Sequence, residues 1–78
     1  MQNENYYTTS DLALACTLSI KHLIDHLDKS NPKRVVFYFK NSDDLATMTE
    51  KYWKKKLKVE PQVYFAQIRL VKTMIYEQ

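Results

Sequence analysis

No glycine occurs anywhere in these 78 residues. Glycine reaches positive φ without steric cost, so its absence removes the usual helix C-caps and the tight two-residue hairpin turns. Every helix and strand must be ended by other residues. Asparagine is the next most tolerant of positive φ, which makes Asn31 and Asn41 the expected substitutes. The same absence excludes P-loops and dinucleotide-binding loops, whose backbone approaches phosphate only where glycine permits it.

The rest of the composition suits a packed domain: 45% of the residues are hydrophobic, too many for a disordered chain. The length fits one domain, residues 6–78, behind a flexible polar tail over residues 1–5. Below roughly 70–80 residues a single core supplies only a few kcal/mol, so a homodimer is compatible with these residues and would add stability. The lone cysteine, Cys16, excludes an internal disulfide and a Cys-rich zinc site. It sits in the apolar run Leu12–Leu18, where a small buried hydrophobe is expected. No stretch approaches the ~18 apolar residues of a membrane span. Met1-Gln2-Asn3-Glu4-Asn5 lacks the basic-then-apolar form of a signal peptide. The expectation is a cytoplasmic protein without a membrane partner.

Charge is unevenly spread. Between Pro32 and Lys58, eight basic side chains (Lys33, Arg34, Lys40, Lys51, Lys54, Lys55, Lys56, Lys58) face three acids (Asp43, Asp44, Glu50), while the remaining residues carry four basic and six acidic groups. Phe37, Tyr38, Phe39, Tyr52 and Trp53 lie among these lysines. A one-sided basic block with interleaved aromatics points to a polyanion, most simply nucleic acid.

Tyr6-Tyr7-Thr8-Thr9 has the content of a short strand. Thr9 or Ser10 is expected to cap a helix with Asp11 in its first turn. That helix is apolar on most sides and should be central. Residues 20–28 carry two readings. Ile20, Leu23, Ile24 and Leu27 follow the i, i+3, i+4, i+7 pattern that would extend the helix to Leu27, whereas a strand over 22–28 alternates only weakly. Asp28-Lys29-Ser30-Asn31-Pro32 is a turn. Arg34–Lys40 alternates as a strand, with Val35, Phe37 and Phe39 on one side and Arg34, Val36, Tyr38 and Lys40 on the other. Ser42-Asp43-Asp44 starts a helix, with Leu45, Met48 and Tyr52 toward the core. Pro61 opens a last helix. There Tyr64, Ile68, Val71 and Ile75 form one apolar strip and Val63, Ala66, Leu70 and Met74 a second.

Candidate chemistry is sparse. His22 and His26 could share a metal if helical, but no third ligand accompanies them, and an exposed surface pair suffices. Asp43 and Asp44 are placed to favour a helix N-terminus rather than to act as paired acids. Ser10 and Ser42 read as caps, since neither has a His/Asp partner arrangement. No catalytic residues, metal ligands or cofactor motifs emerge, and an enzyme is not expected. The lysines Lys54, Lys55 and Lys56 either complement the end of a helix or, with Lys33, Arg34, Lys40 and Lys58, contact phosphate. Tyr38, beside Arg34 and Lys40, either stacks a single-stranded base or is covered by a helix. Phe65, Arg69, Lys72 and Tyr76 share one face of the last helix and match the residue types of protein interfaces, unless that face packs on Tyr6-Tyr7.

Thr9-Ser10-Asp11-Leu12-Ala13-Leu14-Ala15, then Asp28-Lys29-Ser30-Asn31-Pro32-Lys33-Arg34-Val35-Val36-Phe37-Tyr38-Phe39, then Tyr52-Trp53 followed by Val59-Glu60-Pro61 resemble a small uncharacterised domain family of bacteria, archaea and phages. The resemblance spans residues 6–76. It carries no assigned activity, so it implies no functional residue. Family members often have glycine near positions 21–22, where this chain has Lys21-His22, and this implies a helix stop followed by a strand. The resemblance thus favours a hairpin of 22–28 with 34–40 and an α+β fold in the order β-α-β-β-α-α. The alternative is a winged helix-turn-helix with a second helix over Ile20–Leu27 and a wing at 34–40. Asp25 and Asp28 against a lone Lys21 would make that a poor recognition helix. The function these readings favour is a non-enzymatic binding protein of a phage, mobile element or small microbial genome, touching nucleic acid through residues 33–58. The competing reading is a protein-interaction module, such as a phage-encoded inhibitor binding a host protein through its last helix.

Overall fold

The structure, a computed structural model, describes residues 5–77. Apart from Asn5, the tail expected over residues 1–5 therefore lies outside the described residues. The elements run β1 (Tyr6–Thr9), α1 (Leu12–Leu18), β2 (Ile24–Asp28), β3 (Val36–Lys40), α2 (Asp43–Trp53) and α3 (Pro61–Tyr76). This is the α+β order expected from the hairpin reading. The winged helix-turn-helix alternative fails, because 24–28 is a strand and α1 stops at Leu18.

The three strands form one antiparallel sheet in the order β1-β3-β2. β3 is central. On it the alternation places Phe37 and Phe39 inward, 2% and 0% exposed, against α1 and the other helices. Leu14, Ala15, Cys16 and Leu18 of α1, Leu45 and Met48 of α2, and Val71 of α3 complete the buried cluster. Burying each phenylalanine contributes on the order of 1.5–3 kcal/mol, so β3 anchors the core. The strand begins at Val36 rather than Arg34, because the Arg34 amide is drawn into the preceding turn by the Asn31 carbonyl at 3.0 Å.

β2 explains the ambiguous segment. Ile24 pairs with Phe39, His26 with Tyr38 and Leu27 with Phe37, with a bulge between Ile24 and His26. The extra residue turns an inward spacing of two into one of three, so Ile24 and Leu27 both face the core from a strand. Leu23, another member of the helix-like pattern, is 92% exposed.

Without glycine, chain reversals use side chains. Asp11, not Thr9 or Ser10, caps α1 by accepting from the Leu14 amide at 3.1 Å, while Thr9 Oγ1 accepts from the Asp11 amide at 3.0 Å. At its other end, the Ser19 hydroxyl lies 2.7 Å from the Cys16 carbonyl oxygen and 3.0 Å from the Gln67 side-chain oxygen. Between β2 and β3, the carboxylate of Asp28 accepts from the Ser30 amide and the side-chain oxygen of Asn31 from the Lys33 amide, both at 2.9 Å. Ser42 caps α2 as expected, accepting from the Leu45 amide at 3.1 Å. Asn31 and Asn41 do not take the left-handed conformation expected of them. Among the described residues the only positive φ is that of Lys55, at 60°.

Candidate nucleic-acid interface

The left-handed Lys55 closes α2. With Lys54 as C-cap, the Lys56 amide donates to the Lys51 carbonyl at 2.9 Å and the Lys55 amide to the Tyr52 carbonyl at 3.0 Å. This pair of bonds is the Schellman arrangement, with lysine where glycine usually stands. The chain turns back sharply, so Leu57 and Val59 return past Tyr52 toward the start of α3. Glu60 caps that helix by accepting from the Val63 amide at 2.8 Å, and Pro61 occupies its first position.

The reversal leaves an open groove of about 450 Å³. Ala13 and Thr17 of α1, Tyr52 and Trp53 of α2, Tyr64 of α3, and Lys55, Leu57 and Val59 of the connection line it. Trp53 is 59% exposed, yet it is held in place. It hydrogen-bonds the hydroxyl of Tyr7, as does Thr49, and its ring and that of Tyr52 stand perpendicular at a centroid distance of 5.1 Å. Burial pushes the Tyr7 phenol above its ordinary pKa against those hydrogen bonds, and burial also raises Tyr52 and Tyr64, assisted by the nearby Asp11 charge. All three phenols stay neutral at physiological pH, so the aromatic walls carry no anion.

The charge beside the groove is positive. Lys54 Nζ pairs with Glu50 Oε2 at 3.0 Å, a solvent-exposed contact of little energetic weight. The side chains of Lys55, Lys56 and Lys58 make no hydrogen bond or ion pair among the described residues. A phosphate approaching them displaces no protein partner.

The other basic candidates lie elsewhere. Lys33 and Arg34 sit at the hairpin end, where Arg34 Nε donates to Ser10 Oγ at 2.9 Å. Ser10 is thus an acceptor for arginine, not the cap expected of it. Lys40 ends β3 roughly 20 Å further along the extended chain, and the 11 residues of α2 separate it from Lys54. The structure brings Lys54, Lys55, Lys56 and Lys58 together on one connection. Lys33 with Arg34, and Lys40, form two separate outposts.

No helix covers Tyr38, which lies on the open face of the sheet. Its ring stacks on His26 at 4.2 Å with 19° between planes, and Tyr6 meets both edge-on at 5.7 and 5.9 Å. Asp25 holds His26 at 2.6 Å, and Asp28 follows on the same strand. These carboxylates oppose phosphate there. His22 contacts Asp44 at 2.8 Å, so the two histidines do not converge. Among the described residues no group of three or more His, Cys, Asp or Glu is placed to hold a metal. Cys16 is buried, and burial raises its thiol pKa.

On α3 the strip Tyr64, Ile68, Val71 and Ile75 packs on the core. The second apolar strip does not: Val63 and Leu70 are 42% and 55% exposed, because α1 offers only one face to pack against. Phe65, Arg69, Lys72 and Tyr76 are all exposed, and Tyr6 and Tyr7 pack elsewhere. No described helix is long and apolar enough to cross a membrane.

Sequence reasoning placed Tyr52 and Trp53 among lysines but missed the groove. The signal available for it is Leu57-Lys58-Val59, an apolar–basic alternation just outside the helix. It also missed Tyr7 as the residue that fixes Trp53. No curated protein and no solved structure matches the chain. A family profile, that of a domain of unknown function designated DUF5659, matches residues 4–77, nearly the whole sequence, and the chain belongs to that family.

Proposed function

We propose that this domain is a non-enzymatic module that binds nucleic acid through the lysine-bearing connection after α2. One observation carries the reading: Lys54, Lys55, Lys56 and Lys58 share a single short connection beside an exposed, fixed tryptophan, and three of them have no acidic partner among the described residues. Lysines so arranged release counterions from phosphates and give binding that is largely independent of sequence and steep in salt. Lys33, Arg34 and Lys40 add to the long-range positive field rather than to the contact itself. A phage or mobile-element setting, in the host cytoplasm, is part of this reading and rests on the sequence motifs alone.

A second reading has its own observation. Phe65 and Tyr76 are 57% and 76% exposed on α3, flanking Arg69 and Lys72. Such a face fits a protein partner, or a second copy of the chain.

One panel separates the two. Binding of a labelled oligonucleotide is followed by fluorescence anisotropy at low salt, with thermal melting as the check on folding. The Lys54→Glu/Lys55→Glu/Lys56→Glu variant should lose affinity on the order of a hundredfold or more while its melting temperature holds. The Phe65→Ala/Tyr76→Ala variant should bind as wild type does. Unchanged affinity in the triple variant, or no binding by the wild type, sinks the nucleic-acid reading and leaves the α3 face.

A further inference from the structure

We infer that the groove beside these lysines receives one unstacked nucleobase, so that the domain selects single strands over duplex. The inference rests on the nucleic-acid reading and goes beyond it, since phosphate contacts alone favour neither form.

The groove, at about 450 Å³, has the size of a small-molecule pocket, for which ~300–1,000 Å³ is usual. Its walls are the aromatic and aliphatic side chains of Tyr52, Trp53, Leu57, Val59 and Tyr64. A flat heterocycle is the ligand component that such walls fit best, and every base has a face to offer them. In a duplex that face is already stacked on its neighbours, and unpairing it costs free energy. The indole is organised in advance: Tyr7 bonds its N–H, the Tyr52 ring stands perpendicular to it, and more than half of its surface remains open.

Charge complementarity selects the rest of the ligand. Lys55 lines the groove itself, with Lys56 and Lys58 on the same connection, so a base in the groove sets its flanking phosphates beside cations. Lys55 is also the one described residue in the left-handed region, where a non-glycine residue is under strain. That strain puts the sharp reversal, and with it a cation, directly at the groove.

Trp53 is the only tryptophan in the chain, so its emission, excited where tyrosine does not absorb, reports this groove alone. The wild-type protein is titrated at low salt with oligothymidylate, with a duplex of equal length, with inorganic polyphosphate and with polyglutamate. Oligothymidylate should quench Trp53 emission and bind about tenfold or more tighter than the duplex. Polyphosphate should compete without quenching. Trp53→Leu, checked for folding by circular dichroism, should bind single strands and duplex alike, losing on the order of ten- to a hundredfold for the single strand. Equal affinity for both forms with unchanged emission overturns the inference and leaves phosphate binding standing. No binding by any oligonucleotide overturns both. Quenching by polyglutamate as strong as by oligothymidylate also overturns it, and assigns the groove to an acidic peptide.

Discussion

The domain has two aromatic clusters built from similar residue types, and they differ in what their rings leave free. On the open sheet face, Tyr38 and His26 stack on each other and Tyr6 closes the group edge-on. Stacking covers one face of the Tyr38 ring and one of His26, and Asp25 adds a carboxylate at 2.6 Å from His26. At the groove, the Tyr52 and Trp53 rings stand perpendicular and Trp53 stays 59% exposed, beside lysines that have no acidic partner among the described residues. The first cluster packs on itself across the open sheet face. The second is a platform. Counting aromatics near basic residues does not separate them; the cross-strand pairing of Tyr38 with His26 does.

The sharpest way to break this comparison is to truncate one ring in each cluster. Tyr38→Ala removes a half-buried ring from the central strand and should cost about 2–3 kcal/mol of stability in urea unfolding, with oligonucleotide affinity unchanged. Trp53→Ala should do the opposite, losing affinity while costing clearly less stability than Tyr38→Ala. A Tyr38→Ala variant that keeps its stability and loses binding would move the site to the sheet.

A smaller effect is expected at Lys55. Glycine accepts its φ of 60° without the Cβ clash, so Lys55→Gly should stabilise the domain by about 1 kcal/mol. If Lys55 contacts phosphate as proposed, the same change should flatten the dependence of log affinity on log salt by about 0.7 for a single strand. A destabilised variant would show that the lysine stem contributes more by packing than its backbone costs.

The smallest effect belongs to the hairpin beneath the sheet-face cluster. Hydrogen bonds from the Ser30 backbone and side chain hold the Asp28 carboxyl below its ordinary pKa of 3.8. Because the folded-state pKa is the lower one, the stabilisation is present above the unfolded pKa and is lost as pH falls through the folded value. Carboxyl chemical shifts should place the Asp28 midpoint below 3.8, and Asp28→Asn should flatten the melting temperature across that acid window. An unshifted midpoint would mean that the turn holds without this carboxylate.

Much of the fold was legible because its signals are local. Val35-Val36-Phe37-Tyr38-Phe39 alternates without interruption, Ser42-Asp43-Asp44 opens α2, and Pro61 stands where α3 begins. The boundary after α1 was obscured by the bulge, which gives Ile24 and Leu27 a helical spacing on a strand. The motif resemblance, not periodicity, resolved it. The second apolar strip of α3 misled for a different reason: periodicity tells which residues share a face but not how many neighbours exist to cover it. The groove needed tertiary information throughout, since α1, α2, α3 and the connection each supply part of its lining. The left-handed lysine left no trace in composition, because nothing in the sequence favours Lys55 over Asn31 or Asn41 for that geometry.

The bond from Tyr7 to Trp53 has a kinetic side. β2 and β3 are neighbours in sequence, whereas β1 reaches β3 by pairing Thr9 with Phe37 across the whole of α1 and β2. Closing the longer loop costs more chain entropy, so β1 joins β3 at a larger entropic cost than β2 does. β1 also lies near a chain end, and chain ends are where native proteins open most readily. Trp53 is therefore expected to acquire its orientation late in folding and to give it up early in partial unfolding. The groove is steady only while the first strand of the chain stays zipped to the third.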